Sequence, residues 1–293
     1  DLHYPLRRQR QMCIRDRSEL EKRNLLENTI IVVTSDNGMP FPRVKGQVFP
    51  YDNRLPLAIR WGKGIKNPGR IINDYLSFSD FAPTFLELTG VDLENQNMEE
   101  FSGTSLKNIF NDDPIQKKRN YMIIGKERHD VGRQNDNGYP VRAIIAGHYF
   151  YSLNFKPNRW PAGNPETGYL NTDGSPTKTE ILNLKREGLN EDYWNLSFGK
   201  RPEETLYDLR KDPDCIENIA QNNKYSFIKD SLRKVLIEDL TINKDPRILG
   251  HGDLFDNYTY AEKRTRNFYE RYMRGESLDS DWVNSSDFEN TLD

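Results

Sequence analysis

Asp36 and Asn37 stand side by side where the apolar run Ile30-Ile31-Val32-Val33-Thr34-Ser35 stops, and Gly38 follows. Consecutive side chains of a regular strand point to opposite faces, so these two converge on one point only if the strand breaks there. Gly38 supplies the backbone freedom for that break. A carboxylate and an amide carbonyl at the carboxyl end of a parallel strand suit a hard cation such as Ca2+. The same three residues also make an ordinary Asx-rich turn. A second constellation is Glu127-Arg128-His129-Asp130-Val131-Gly132-Arg133, which packs two arginines, a histidine and two carboxylates into seven residues. Its guanidinium forks suit a sulfate or a sugar carboxylate, and His129 has the side chain of a proton donor. The plainer reading is a solvated charged loop.

The elements that must position these groups fall into three regions. Residues 18–112 read as α/β, with a helix over 18–27 capped by Ser18, a buried strand over 30–35 and another over 57–61. Residues 79–90 form a helix that starts at a cap, carries Pro83 early and closes on Gly90, with Asp80 read as capping rather than catalytic. Residues 113–245 read as a smaller sheet-and-helix subdomain, with strands over 121–124, 141–146, 148–153 and 205–209. Gly147 makes the tight turn between the middle two. The spacing of Phe227, Ile228, Leu232, Val235, Leu236 and Leu240 predicts an amphipathic helix over 225–239. Residues 156–178 form a long Pro/Gly/Asn-rich connection, of a length that is either functional or disordered, and Trp160 and Tyr169 favour order. The tail over 246–293 shows no pattern that converts to function.

Read together, several segments resemble one family. Thr34-Ser35-Asp36-Asn37-Gly38-Met39-Pro40-Phe41-Pro42 leads to Lys45-Gly46, Tyr51 and Arg54-Leu55-Pro56. That order is similar to the second half of a sulfatase active site, and Pro-Phe-Pro after Asn-Gly is most like the heparan N-sulfatase branch. Gly125 to Asp130, Gly138 to Arg142, and Leu206-Tyr207-Asp208-Leu209 with Asp212-Pro213 and Asn218-Ile219-Ala220 follow in the family's order. The Asp-x-x-Pro-Thr helix at Asp80 is likewise a sulfatase feature. The resemblance implies the C-terminal part of an alkaline-phosphatase-like α/β domain plus a smaller antiparallel subdomain. It implies that Asp36 and Asn37 ligate one Ca2+, that Lys45 contacts the sulfate, and that Arg54 supports the loop. His129 and Arg133, with Arg142 behind them, are implied as contacts to the sugar.

The chain also departs from that pattern. Sulfatases use a Cys-x-Pro-x-Arg-like motif whose cysteine or serine becomes formylglycine, together with an early Asp pair for the metal, and neither can be placed here. Cys13 has an arginine at the right offset, but Arg15 stands where proline or a small residue belongs, and Cys215 reads as a small half-buried residue. Residues 1–17 carry Arg7, Arg8, Arg10, Arg15 and Arg17 without an amphipathic period, and residues 12–17 resemble translated adapter sequence. They read as a non-native leader and are set aside from fold reasoning. Two cysteines make no disulfide framework and do not fix a compartment.

Composition narrows the function classes. Charged residues make up 30% and the net charge is only −3, so nothing steers the chain toward polyanions and nucleic acid is not the expected partner. A mean hydropathy of −0.86 is polar, yet an aromatic content of 11% argues against disorder. No apolar run approaches the roughly 18 residues needed to span a bilayer. The function that the resemblance implies is removal of N- or O-linked sulfate from a sulfated sugar or glycosaminoglycan fragment. This chain is expected to be inactive alone, with the formylglycine and half of the calcium shell missing, and the resemblance implies a periplasmic or secreted location. The alternatives are an O-sulfatase or a phosphate or phosphonate hydrolase of the same superfamily, a non-catalytic glycan-binding module, and a basic-arm nucleic-acid binder. Oligomeric state is not legible.

Overall fold

The computed structural model describes residues 14–93, 98–115 and 118–289, so Cys13 and most of the arginine-rich leader lie outside the described residues. By its contacts the chain divides into two units. Residues 1–35 and 56–120 form the first, and residues 36–55 and 121–293 form the second.

In the first unit, strands β1 (Ile31–Thr34) and β2 (Leu57–Arg60) pair antiparallel, with Ile31 opposite Arg60 and Thr34 opposite Leu57. The expected parallel neighbour of β1 is not among the described residues. β1 is also less buried than its apolar sequence predicts, since a two-stranded ladder covers little of it and Val33 is 49% exposed. The first helix runs over 14–22 rather than 18–27, so Ser18 is interior to it, and Leu26 is buried in a separate short turn. The capping assignment of Asp80 holds. Its carboxylate accepts the Ser77 and Thr104 amides at 2.8 and 2.7 Å and both nitrogens of the Arg119 fork, closing a capping box with Ser77 over the turn Phe78–Asp80 that leads into the helix Phe81–Leu88. At 0% exposure, a carboxylate there requires that partner.

The second unit is built on a four-stranded antiparallel sheet in the order β3 (Tyr121–Lys126), β4 (Val141–Ala146), β5 (Tyr149–Asn154), β6 (Glu204–Asp208). Gly147, at φ +58°, makes the turn from β4 to β5. Strand alternation divides the side chains between two faces. On one face Ile144, Tyr151, Leu153 and Leu206 pack on Leu232, Leu236 and Leu240 of the helix Ser226–Ile242, as its 3.6-residue spacing requires. On the other face Val141, Ala143, Phe150 and Tyr207 receive Val48 and Phe49 from the segment 36–55. The Phe49 ring lies 5.8 Å from Phe150 and 6.2 Å from Tyr207, which pins that segment to the sheet.

The long connection is ordered, and its last three residues already open a helix that its Pro/Gly content conceals, Pro176–Arg186. Pro176 occupies the first helical turn, where its missing N–H costs nothing, and Ser175 caps it. Lys178, fully buried, donates to the carbonyls of Gly168 and Thr172 at 2.8 Å and pairs with Asp287 at 3.2 Å. Through Asp287 the tail therefore locks the connection in place. Cys215 is fully buried rather than half-buried, and burial pushes its thiol up to about 12.

Candidate active site

The Asp36-Asn37-Gly38 turn is held from below by Asp52. One carboxylate oxygen of Asp52 accepts the Gly38 amide at 2.9 Å and the other accepts the Gln47 amide at 3.1 Å. A single side chain thus ties the two ends of the loop that carries Asn37 and Lys45. Burial raises the Asp52 carboxyl, and these amide donors oppose the rise. Gly38 is required for steric reasons, because a Cβ there would stand 2.3 Å from the Tyr51 carbonyl oxygen. Asp36 is exposed at the lip of the turn and Asn37 is half-buried.

Lys45 does not stand alone. Its Nζ donates to Asp173 Oδ2 at 2.7 Å, from the long connection. Gly46, at φ +73°, turns the chain directly after it, and a Cβ on Gly46 would come within 2.6 Å of His129 Cδ2. The imidazole therefore lies flat against the Lys45-Gly46 corner. Desolvation by the surrounding protein, then the Lys126 and Lys45 cations, hold His129 down to about 4, which favours the neutral imidazole although the residue as a whole is exposed. Asp130 completes the group. Burial raises its carboxyl, it accepts from the Val131 amide and the Tyr260 hydroxyl, and it feels both Asp173 and Lys45.

The rest of the charged loop faces inward. Arg133 is 2% exposed, and its guanidinium donates to the carbonyls of Trp160, Pro161 and Asn137. Arg142 is 5% exposed and is shared between Glu127 and Asp245, each at 2.8 Å. Arg247 from the tail binds the same Glu127 at 2.9 Å, and Arg128 donates to the carbonyls of Phe255 and Tyr258. The structure thus brings Lys45 and His129 together with two carboxylates, and places Arg133 and Arg142 beneath them as supports of the loop. Asp52, Asp130, Asp173 and Lys126 were not singled out in the sequence. Asp130 lay inside the flagged constellation, but Asp173 is 128 residues from its partner Lys45 and no local pattern marks it.

Among the described residues no three His, Cys, Asp or Glu side chains form a metal-holding group. Asp36 and Asn37 have the hard oxygen donors Ca2+ prefers, but they are two of the roughly six to eight it takes, so they fit only as part of a shell.

A model of the sulfatase family matches residues 17–91, which include Asp36, Asn37 and Lys45. Over 247 residues the chain is 30% identical to an ulvan-active sulfatase of Formosa agariphila, covering 81% of this chain and 37% of that protein. The chain belongs to the sulfatase family. Across 237 residues it is also 24% identical to N-sulphoglucosamine sulphohydrolase of Homo sapiens, covering 78% of this chain and 44% of the human enzyme. This sulfatase-family chain therefore spans less than half the length of either relative. Among solved structures it is similar to BT4656 in complex with D-glucosamine-2-N,6-O-disulfate, at TM-score 0.50 and 21% identity, over 79% of this chain and 38% of that one. It is similar to the phosphonate monoester hydrolase of Silicibacter pomeroyi at TM-score 0.52 and 16% identity, over 78% and 38%. At such identities the likeness speaks to fold, which is the alkaline-phosphatase-like fold of the sulfatases.

Proposed function

We propose that this sulfatase-family chain forms part of an enzyme that removes sulfate from a sulfated sugar, an N-sulfoglucosamine unit being the favoured substrate. The observation that carries the reading is the Lys45-Gly46 corner, where an ammonium and a neutral imidazole sit together at a partly open surface. Lys45 supplies the positive charge for a sulfate oxygen, and neutral His129 offers a ring N–H to an oxygen of the sulfate or the sugar. Asp130 and Asp173 accept from sugar hydroxyls or an amine, and Asp173 yields Lys45 as sulfate arrives. Arg133 and Arg142 act as positioning residues that hold the His129 loop. Asp36 and Asn37 contribute oxygens to a Ca2+ ion, whose charge neutralises sulfate oxygens. The formylglycine implied by the resemblance has no place among these residues, so the chain binds sulfated sugars without hydrolysing them. Among the described residues no helix is long and apolar enough to cross a membrane, and a periplasmic or secreted location is part of the proposal.

The test is NMR titration of the isolated chain with N-sulfoglucosamine, N-acetylglucosamine-6-sulfate and a phosphonate monoester. The expected result is saturable perturbation of the Lys45 and His129 resonances, strongest for the N-sulfated sugar and without release of sulfate. Preference for the phosphonate ester, or turnover by this chain alone, would overturn the reading.

A further inference from the structure

Behind the Lys45-Gly46 corner, between the Phe49 face of the sheet and the residues after the helix Glu191–Ser197, lies a cavity of about 20 Å3. That volume suits one water-sized body or small ion better than a tetrahedral oxyanion. Its lining is rich in donors. The Gln47 side chain is 5% exposed, and its Nε2 lies buried with no partner. Arg201 Nη2, also in the lining, is buried and equally unpartnered. Lys126 donates to the carbonyls of Gly46 and Pro161, which leaves one of its three ammonium protons over. Tyr139 Oη accepts from Asn154 at 2.9 Å and keeps its own proton to give. Among the described residues no carboxylate lines the cavity.

The charge balance points the same way. Arg201 and Arg43 both lie against the Phe49 ring, at 4.6 and 4.4 Å from its centroid. Lys126 is disfavoured as a cation by burial and by Arg133 and Arg201, with Asp52 opposing. Asp52 already accepts the Gly38 and Gln47 amides from outside the cavity. Buried donors without acceptors and clustered cations with no carboxylate in the lining are each costly, and one small anion relieves both. A water molecule would satisfy two donors but leave the charge uncompensated.

We propose that this cavity is a halide site, sized for one chloride ion held by Gln47 Nε2, Arg201 Nη2 and the Lys126 ammonium. The ion braces the underside of the loop that presents Lys45, without contacting the sulfated sugar, and the assignment is independent of which substrate that loop binds. The test compares thermal unfolding of the chain in sodium chloride and in sodium gluconate at equal ionic strength. A midpoint that rises by a few degrees with chloride and then saturates is expected, as for any ligand bound only by the folded state. The rise should disappear in Gln47→Leu and persist in Lys45→Met, which separates this cavity from the sulfate position. Because Gln47→Leu alters a packed loop, crystals soaked in bromide provide a second readout, with an anomalous peak expected within hydrogen-bonding distance of Gln47 Nε2 and Arg201 Nη2. No chloride-specific rise, a rise unchanged in Gln47→Leu, or a cavity holding only water would each overturn the proposal.

Discussion

Replacing Asp173 by asparagine should tighten sulfate binding at Lys45. In the structure Asp173 lies 2.7 Å from the Lys45 ammonium, with the two side chains 30% and 27% exposed. A half-exposed pair at that separation is worth far less than its Coulomb term, because water screens it and holding both side chains in place carries an entropy cost. Freeing Lys45 therefore contributes only a few tenths to about 1 kcal/mol. Removing the carboxylate also removes its repulsion of an incoming dianion, which across about 5 Å of water screened by physiological salt adds roughly 1 kcal/mol. The sum corresponds to a gain of roughly 8- to 30-fold in sulfate affinity for Asp173→Asn. Lys45→Met should lose at least as much. Calorimetric or NMR titration with sodium sulfate at constant ionic strength measures both. The two changes also act on His129 with opposite sign, since Asp173 raises its pKa and Lys45 lowers it. The imidazole should titrate lower in Asp173→Asn and higher in Lys45→Met, and bound sulfate should raise it in the wild-type chain. Unchanged sulfate affinity in Asp173→Asn would refute the view that this carboxylate holds the place of the substrate anion.

Three further outcomes follow from particular contacts. Asp52→Ala should destabilise the second unit by about 1–3 kcal/mol, because the Gly38 and Gln47 amides lose their acceptor, and urea unfolding reads the loss. His129 has a folded-state pKa of about 4 against the ordinary 6.5, so the unfolded chain takes up the proton first. Its contribution is therefore complete above pH 6.5 and is lost as the pH falls toward 4. The partly open ring limits it to about 1 kcal/mol, and His129→Gln should flatten stability curves over that window. Asp287→Ala should cost about 3–5 kcal/mol by leaving the Lys178 ammonium buried without its counter-charge, whereas the double change Lys178→Met, Asp287→Leu should cost much less. Thermal unfolding of the two variants side by side checks that order.

The periodic elements were legible because each is written in neighbouring residues. Leucines at 232, 236 and 240 recur at helical spacing and all three are buried. Ser77 through Asp80 forms a capping box, and Gly147 sits between two runs of strand residues. The two-stranded ladder was harder, since the apolar β1 sequence promises a burial that its one described neighbour does not provide. The helix Pro176–Arg186 was hidden because Gly174, Ser175 and Pro176 read as loop, although Pro at the first turn after a serine cap is also how a helix begins.

The candidate site divides along the same line. A guanidinium aimed at a ligand and one aimed at backbone carbonyls have the same letter in the sequence, and only the fold shows Arg133 donating to Trp160 and Pro161 while Arg142 bridges Glu127 and Asp245. What leaves Lys45 and His129 at the surface is the number of anchors beneath them. Glu127 binds Arg142 and Arg247, Arg128 holds two tail carbonyls, and Asp52 fixes both ends of the Lys45 loop. The backbone around the two groups is thus tied down at several points and has little freedom left to lose when an anion binds, with the Asp173 contact to Lys45 the one to be exchanged. A recognition surface gains affinity from that preorganisation rather than from extra contacts. The anchors come from residues 52, 127, 128, 142 and 247, so the local motif at 36–46 depends on partners distributed along most of the second unit.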